Sequence, residues 1–110
     1  MSQQQTPQDP DALLDANVRV PDHVVFRAFV AETVMLNLQT GKYHGVNPTG
    51  GRMLEVLEQG RTPREVAAQL ANEFSRPEAE VQADIVEFLG DLLTRDLVQL
   101  EVQGDREKQS

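Results

Sequence analysis

The apolar residues change their spacing once along the chain, at Asn47, and this change limits the folds that the sequence can adopt. Before it, short tracts rich in β-branched and aromatic residues indicate β-strands. After it, apolar residues recur at the spacing of amphipathic helices. The order predicts an α+β fold similar to a winged helix-turn-helix, in which a three-stranded antiparallel sheet is followed by three helices.

Three tracts make up the predicted sheet. Residues 23–30 follow Pro21, residues 33–38 alternate, and residues 42–46 complete a hairpin after Gly41, which can adopt the positive φ of a turn. A hairpin loop of two residues and one of three both fit the sequence, and they differ by one position in strand register. Alternation in the middle tract predicts three side chains on one face: Val34, Leu36 and Leu38.

The helical half of the chain contains three start signals. Residues 47–48 are an asparagine N-cap followed by proline, and residues 62–65 (Thr-Pro-Arg-Glu) form a capping box. Residues 75–78 repeat that pattern and begin a third helix, which we expect to end near Arg95. Residues 97–100 then close the domain as an extended segment.

Both ends of the chain lack the apolar residues that a core requires. Leu13 and Leu14 are the only sizeable apolar residues after Met1 in residues 1–17, and residues 104–110 are entirely polar. Such segments cannot offset a backbone ordering cost of about 1–2 kcal/mol per residue. We therefore expect disordered tails at 1–17 and 103–110 and a single domain over residues 18–102.

The net charge of −8 restricts the class of partner. Binding to phosphates requires clustered Lys and Arg, so nucleic acid and anionic membranes are disfavoured. The absence of cysteine excludes disulfides and thiolate metal sites. The sequence contains neither a membrane-spanning run nor a signal peptide, which favours a cytoplasmic location.

No group of residues in the sequence indicates catalysis. His23 and His44 are the only histidines, and neither has a convincing partner for a metal site or a catalytic pair. Gly50-Gly51 at a helix start permits either an anion site or close packing of helix on sheet, and close packing is favoured. We therefore expect no enzymatic activity, no metal and no cofactor.

The predicted third helix also argues against DNA recognition. Between residues 75 and 96 it carries six acidic side chains against two arginines, Arg76 and Arg95. A recognition helix of this charge is repelled by phosphates. A winged helix that acts as a regulator or interaction module through protein contacts stays open as an alternative.

The hairpin and the first predicted helix resemble the PqqD family, named for pyrroloquinoline quinone biosynthesis protein D. The similarity lies in residues 36–50, with an aliphatic strand, a Thr-Gly turn, an aromatic strand and a Thr-Gly helix start. Residues 62–74 and 83–89 also fit the family pattern. The sequence departs from it at Val46, where leucine is usual, and at 53–54, where an aromatic residue is common.

The resemblance implies a precursor-peptide recognition domain for ribosomally made, post-translationally modified peptides. Such domains lack enzymatic activity and bind the leader of a precursor peptide, which adds a strand to the third strand and lies against the third helix. It implies a separate leader peptidase or other modifying enzyme as partner, and a lasso-peptide pathway is the preferred setting. The expected peptide-binding residues are Lys42, Tyr43, His44, Gly45, Val46, Val81, Asp84, Ile85 and Phe88.

Overall fold

The computed structural model describes residues 10–101, and these form a small sheet packed on helices. The helices are α1 (Pro10–Leu14), α2 (Pro48–Leu57), α3 (Pro63–Phe74) and α4 (Glu78–Thr94). The strands are β1 (Asn17–Arg19), β2 (Val24–Ala28), β3 (Thr33–Asn37), β4 (Lys42–Val46) and β5 (Gln99–Glu101). The predicted α+β class, with three antiparallel strands followed by three helices, is confirmed.

The three central strands form an antiparallel sheet in the order β2-β3-β4. Asn37 pairs with Lys42, so the hairpin loop holds four residues and not the two or three that we expected. The Asn37 side chain accounts for the longer loop, because its Oδ1 accepts hydrogen bonds from Gln39 N at 2.9 Å and Thr40 N at 3.2 Å. Gly41 ends the loop with a φ of 77°, as predicted for the turn.

The face of β3 that packs on the core is the opposite of the one its apolar residues suggest. Thr33, Met35 and Asn37 are buried, whereas Leu38 is exposed and Val34 and Leu36 are partly exposed. Two polar side chains occupy inner positions of β3, each because of a specific contact. Asn37 organises the hairpin loop, and the Thr33 side chain lies against Gly51 of α2. The outer face of β3 consequently carries the apolar side chains of Val34 and Leu36.

Two of the three predicted helix starts are confirmed. Asn47 Oδ1 accepts a hydrogen bond from Gly50 N at 2.8 Å, and the Thr62/Glu65 capping box is formed in both directions. The third prediction is wrong in detail. Ser75 ends α3 in the left-handed conformation, with a φ of 55°, and α4 begins after Pro77 without a side-chain cap.

The N-terminal segment is ordered from residue 10, which corrects the expectation of disorder over 1–17. Leu13 and Leu14 of α1 are buried in the core, and the Arg64 side chain donates two hydrogen bonds to the Asp15 carboxylate, at 2.7 and 3.0 Å. Strand β1 then pairs with β5 near the other end of the chain. Residues 1–9 and the predicted tail at 103–110 lie outside the described residues.

The hydrophobic core lies between the inner face of the sheet and the helices. Gly50 and Gly51 let the first turn of α2 approach the sheet, because a Cβ at either position would collide with a side chain of the neighbouring elements. The favoured prediction for these glycines, close packing of helix on sheet, is confirmed. Among the described helices, none is long and apolar enough to cross a membrane.

Candidate functional site

The outer edge of β4 is unpaired within residues 10–101, where β4 pairs with β3 alone. Two hydrogen bonds fix which backbone groups face that edge: Phe29 N donates to Glu32 O at 2.8 Å, and Leu38 N donates to His23 O at 2.7 Å. Hydrogen-bonded pairs alternate along an antiparallel ladder, so the even-numbered residues of β3 bond to β2 and its odd-numbered residues bond to β4.

It follows that Tyr43 and Gly45 direct their N–H and C=O groups away from the sheet. These two residues pair with Leu36 and Val34, whose own backbone groups bond to β2. The edge therefore offers two donors and two acceptors in one row. Gly45 lacks a side chain, which lets another backbone approach at that point.

A groove separates this edge from helix α4. One hollow, of about 300 Å³, lies between His44 and Gly45 on the strand and Phe88, Asp91 and Leu92 on the helix. A second hollow, of about 380 Å³, continues beside the start of α2, and Phe88 lines both. The second hollow is bounded by Asn47, Thr49, Gly50, Met53, Arg76, Asp84, Glu87 and Phe88.

The charges that line the groove leave it acidic. The Arg76 guanidinium is hydrogen-bonded to Asp84 at 2.9 Å and to Glu80 at 3.3 Å, and these bonds raise the pKa of Arg76. Arg95 pairs with Asp91 at 3.1 Å. Glu87 makes no ion pair with any described residue. The two arginines are thus already neutralised, and the groove presents net negative charge to a ligand.

The expected strand residues all lie on β4, but they face different ways. Tyr43 is 71% exposed on the outer face, and Lys42 is exposed at the start of the strand. His44 is half-buried and lines the groove, while Val46 is buried at the end of the strand beside Gly50. The strand therefore offers backbone groups at Tyr43 and Gly45 and a groove-facing side chain at His44.

The expected helix residues are divided between groove and core. Asp84 and Phe88 line the groove. Val81 and Ile85 are 1% and 0% exposed, so their side chains belong to the core and offer no surface to a peptide. Their expected place in the site is corrected on that ground.

Several groove residues were not predicted from the sequence. Asn47 and Thr49 belong to the predicted start of the first helix, and Glu87 is one of the six acids counted on the third helix. Only the packing of α2 beside α4 brings the three together. Arg76 follows a helix end, where the sequence gives no indication that it pairs with Asp84. Only the spacing along α4 could have indicated groove residues from the sequence, because four side chains share one side of the helix: Asp84, Glu87, Phe88 and Asp91.

The two histidines lie in separate places. His23 Nε2 is 3.4 Å from Asp96 Oδ2, whereas His44 lines the groove. In the part of the chain that the structure describes, no group of three or more His, Asp or Glu side chains could hold a metal ion.

An unpaired strand edge that faces a helix-walled groove is the geometry of domains that bind an extended peptide by adding it to their sheet. Residues 32–98 match the family described as Coenzyme PQQ synthesis protein D (PqqD). The chain belongs to the PqqD family, which confirms the resemblance noted in its hairpin and helices.

Two solved structures have similar folds. TbiB1 in complex with the TbiA(beta) leader peptide is 34% identical, with a TM-score of 0.67, over 77% of this chain and 96% of that chain. A lasso peptide synthetase B1 complexed with the leader peptide is 22% identical, with a TM-score of 0.69, over 76% of this chain and 98% of that chain. No curated protein matches the chain.

Proposed function

We propose that this protein binds the leader of a precursor peptide and presents it to a separate enzyme during the biosynthesis of a lasso-type modified peptide. The observation that carries the proposal is the open edge of β4, where Tyr43 and Gly45 direct backbone groups beside the groove lined by Phe88. The leader peptides in the complexes of its relatives support the same ligand class.

Strand addition at this edge gives a measurable affinity for a leader peptide. Four backbone hydrogen bonds, two each at Tyr43 and Gly45, contribute about 0.5–1.5 kcal/mol apiece. Two apolar leader side chains buried in the groove contribute about 1.5–3 kcal/mol each. These gains sum to about 5–12 kcal/mol, and association and ordering of a flexible peptide remove at least about 4 kcal/mol, so the tightest dissociation constant expected is about 1 μM.

The two components of binding have different consequences. Backbone hydrogen bonds at the edge tolerate many leader sequences, whereas the side chains that enter the groove beside Phe88 and Leu92 select among them. An acidic groove disfavours leaders with carboxylates at the inward-facing positions. The adaptor therefore recognises a short extended segment with apolar inward residues.

The partner in this proposal is a leader peptidase or another modifying enzyme, and both proteins act in the cytoplasm. The domain holds the leader while the partner carries out the chemistry. In the part of the chain that the structure describes, no comparable site supports the alternative of a winged helix that acts as a regulator, and the acidic surface of α4 opposes contact with DNA.

Titration with leader peptides tests the proposal. The probes are the TbiA(beta) leader and the leader of a precursor peptide identified among the neighbouring reading frames, each measured by calorimetry against the wild-type protein and Gly45→Pro. Proline removes the outward-facing N–H, so binding should weaken by at least about tenfold. Ala28→Pro is the matched control, because it removes an outward-facing N–H from the opposite edge of the sheet. Failure of the wild-type protein to bind either probe would refute the proposal.

A further inference from the structure

The carboxylate of Glu32 lies over β4 at Gly45, the position at which this strand has no side chain. A Cβ placed on Gly45 would stand 2.8 Å from Glu32 Oε1, so the acid occupies the space that the glycine leaves open. Gly45 and Tyr43 alternate with the inward-facing His44 and Val46, which places Glu32 on the outer face of the sheet. It is therefore separate from the acidic groove on the inner face.

The turn between β2 and β3 fixes the backbone position of Glu32. Glu32 O accepts the hydrogen bond from Phe29 N that closes the turn, and Thr33, the next residue, pairs with Val46. Its side chain is solvent-exposed and forms no ion pair with any residue from 10 to 101. The carboxylates of Asp84 and Asp91, by contrast, are each paired with an arginine. Among residues 10–101, Glu32 is therefore an acidic side chain at the edge with no ion-pair partner.

An added strand places one of its own side chains beside this charge. Neighbouring strands lie about 4.8 Å apart, and side chains directly across from one another point to the same face. Val34 and Gly45 lie side by side on β3 and β4, and one outward-facing residue of the peptide would lie next to Gly45 on its other side. The next outward-facing residue, two positions away, continues the row of Leu36 and Tyr43, which is apolar.

We propose that Glu32 is a specificity-determining residue that selects leaders carrying lysine or arginine at the outward-facing position beside Gly45. The inference rests on the proposed function, because it requires a peptide strand on the edge of β4. It adds a charge requirement at one position of the bound segment, on the face of the sheet away from α4. The two positions that flank it, which face the groove, have no contact with Glu32.

A charge scan tests the proposal. In the TbiA(beta) leader, and in the leader of a precursor peptide identified among the neighbouring reading frames, lysine, glutamine and glutamate are placed singly along the segment protected by binding. Calorimetry then compares wild-type protein with Glu32→Gln and Glu32→Lys. Glu58→Gln and Glu58→Lys are matched controls, because Glu58 is an exposed acid at the end of α2, on the opposite side of the sheet near β2.

At one position the wild-type protein should bind the lysine peptide about three- to tenfold more tightly than the glutamate peptide. Glu32→Gln should remove that preference and Glu32→Lys should reverse it, while the Glu58 variants retain it. At the outward-facing position two residues away, beside Tyr43, the Glu32 variants should have no effect.

Two results overturn the inference in distinguishable ways. If leaders bind and Gly45→Pro abolishes binding, but no position changes its charge preference in Glu32→Lys, the edge is the site and Glu32 does not select its ligand. If neither leader binds, or Gly45→Pro leaves the affinity unchanged, the proposed function fails and the role of Glu32 fails with it.

Discussion

Gly50 lies so close to Phe88 that a Cβ on the glycine would stand 2.9 Å from ring atoms Cε1 and Cζ. The same Cβ would stand 2.7 Å from Val46 Cγ1. The absence of a side chain at Gly50 thus allows three elements to pack closely: the start of α2, the end of β4 and the middle of α4. It allows the aromatic ring to lie at the junction of the two hollows of the groove.

Gly50→Ala should therefore destabilise the fold and displace the Phe88 ring. Because Val46 is buried, the new methyl group is not easily accommodated, and overpacking of this kind lowers the free energy of unfolding by about 1–3 kcal/mol. Urea denaturation measures the change. Thr49→Ala, in the same helical turn, is the control and should change stability by less than about 1 kcal/mol. Equal stability of Gly50→Ala and wild type would contradict the close packing.

Phe88→Ala should weaken leader binding. The ring lines both hollows, and loss of an aromatic contact of this size corresponds to about 1.5–3 kcal/mol, or about 10- to 100-fold in the dissociation constant. Phe74→Ala is a matched control, since Phe74 is 40% exposed at the end of α3 and does not line the groove. If both variants bind the leader alike, α4 does not form a wall of the site.

The fold of the central hairpin and helices could be predicted because its signals are local. The bounds of β4 follow from Gly41 and from the cap at Asn47, and the start of α3 follows from Thr62 and Glu65. Each of these residues acts within a few positions of itself, by a positive φ or by a bond to a nearby backbone N–H.

The parts that could not be predicted depend on contacts between distant segments. Leu13 and Leu14 lie in a polar stretch and become buried only because α1 docks against α3 and α4. Thr33 takes an inner position of β3 because Gly51 of α2 lies against it. The place of Ile85 in the core, and not in the groove, likewise depends on how α4 is rotated against its neighbours.

Stability should depend on pH through Asp15. Hydrogen bonds from Arg64 lower the pKa of Asp15 below its ordinary value. A carboxylate whose pKa is lower in the folded state stabilises the protein above its unfolded pKa, and this contribution is lost as the pH falls through the folded pKa. Asp15→Asn should therefore unfold at a lower temperature than wild type near neutral pH, with the gap closing as the pH falls through the lowered pKa of Asp15.

Thermal unfolding followed by circular dichroism across this pH range measures the gap. Glu58→Gln, which also removes one exposed carboxylate, controls for the loss of charge. A gap between Asp15→Asn and wild type that stays constant down to the lowest pH would mean that the Asp15–Arg64 contact is not the source of the effect.

The capping box at the start of α3 offers a test of the fold alone. Thr62 Oγ1 accepts a hydrogen bond from Glu65 N at 3.2 Å, and Glu65 Oε1 accepts one from Thr62 N at 2.9 Å. Thr62→Ala should lower the free energy of unfolding by about 1 kcal/mol, with Thr62→Ser close to wild type. Urea denaturation is the measurement, and unchanged stability of Thr62→Ala would show that the box contributes nothing.

The central claim is most directly tested by amide hydrogen exchange, resolved by NMR, with and without a saturating leader peptide. We predict that exchange at Tyr43 and Gly45 slows by at least about tenfold on binding, because their N–H groups become bonded to the added strand. Phe26 and Ala28, whose amides face the opposite edge of the sheet, should exchange at unchanged rates. A leader that binds at saturation while Tyr43 and Gly45 exchange as fast as in the free protein would contradict strand addition at β4.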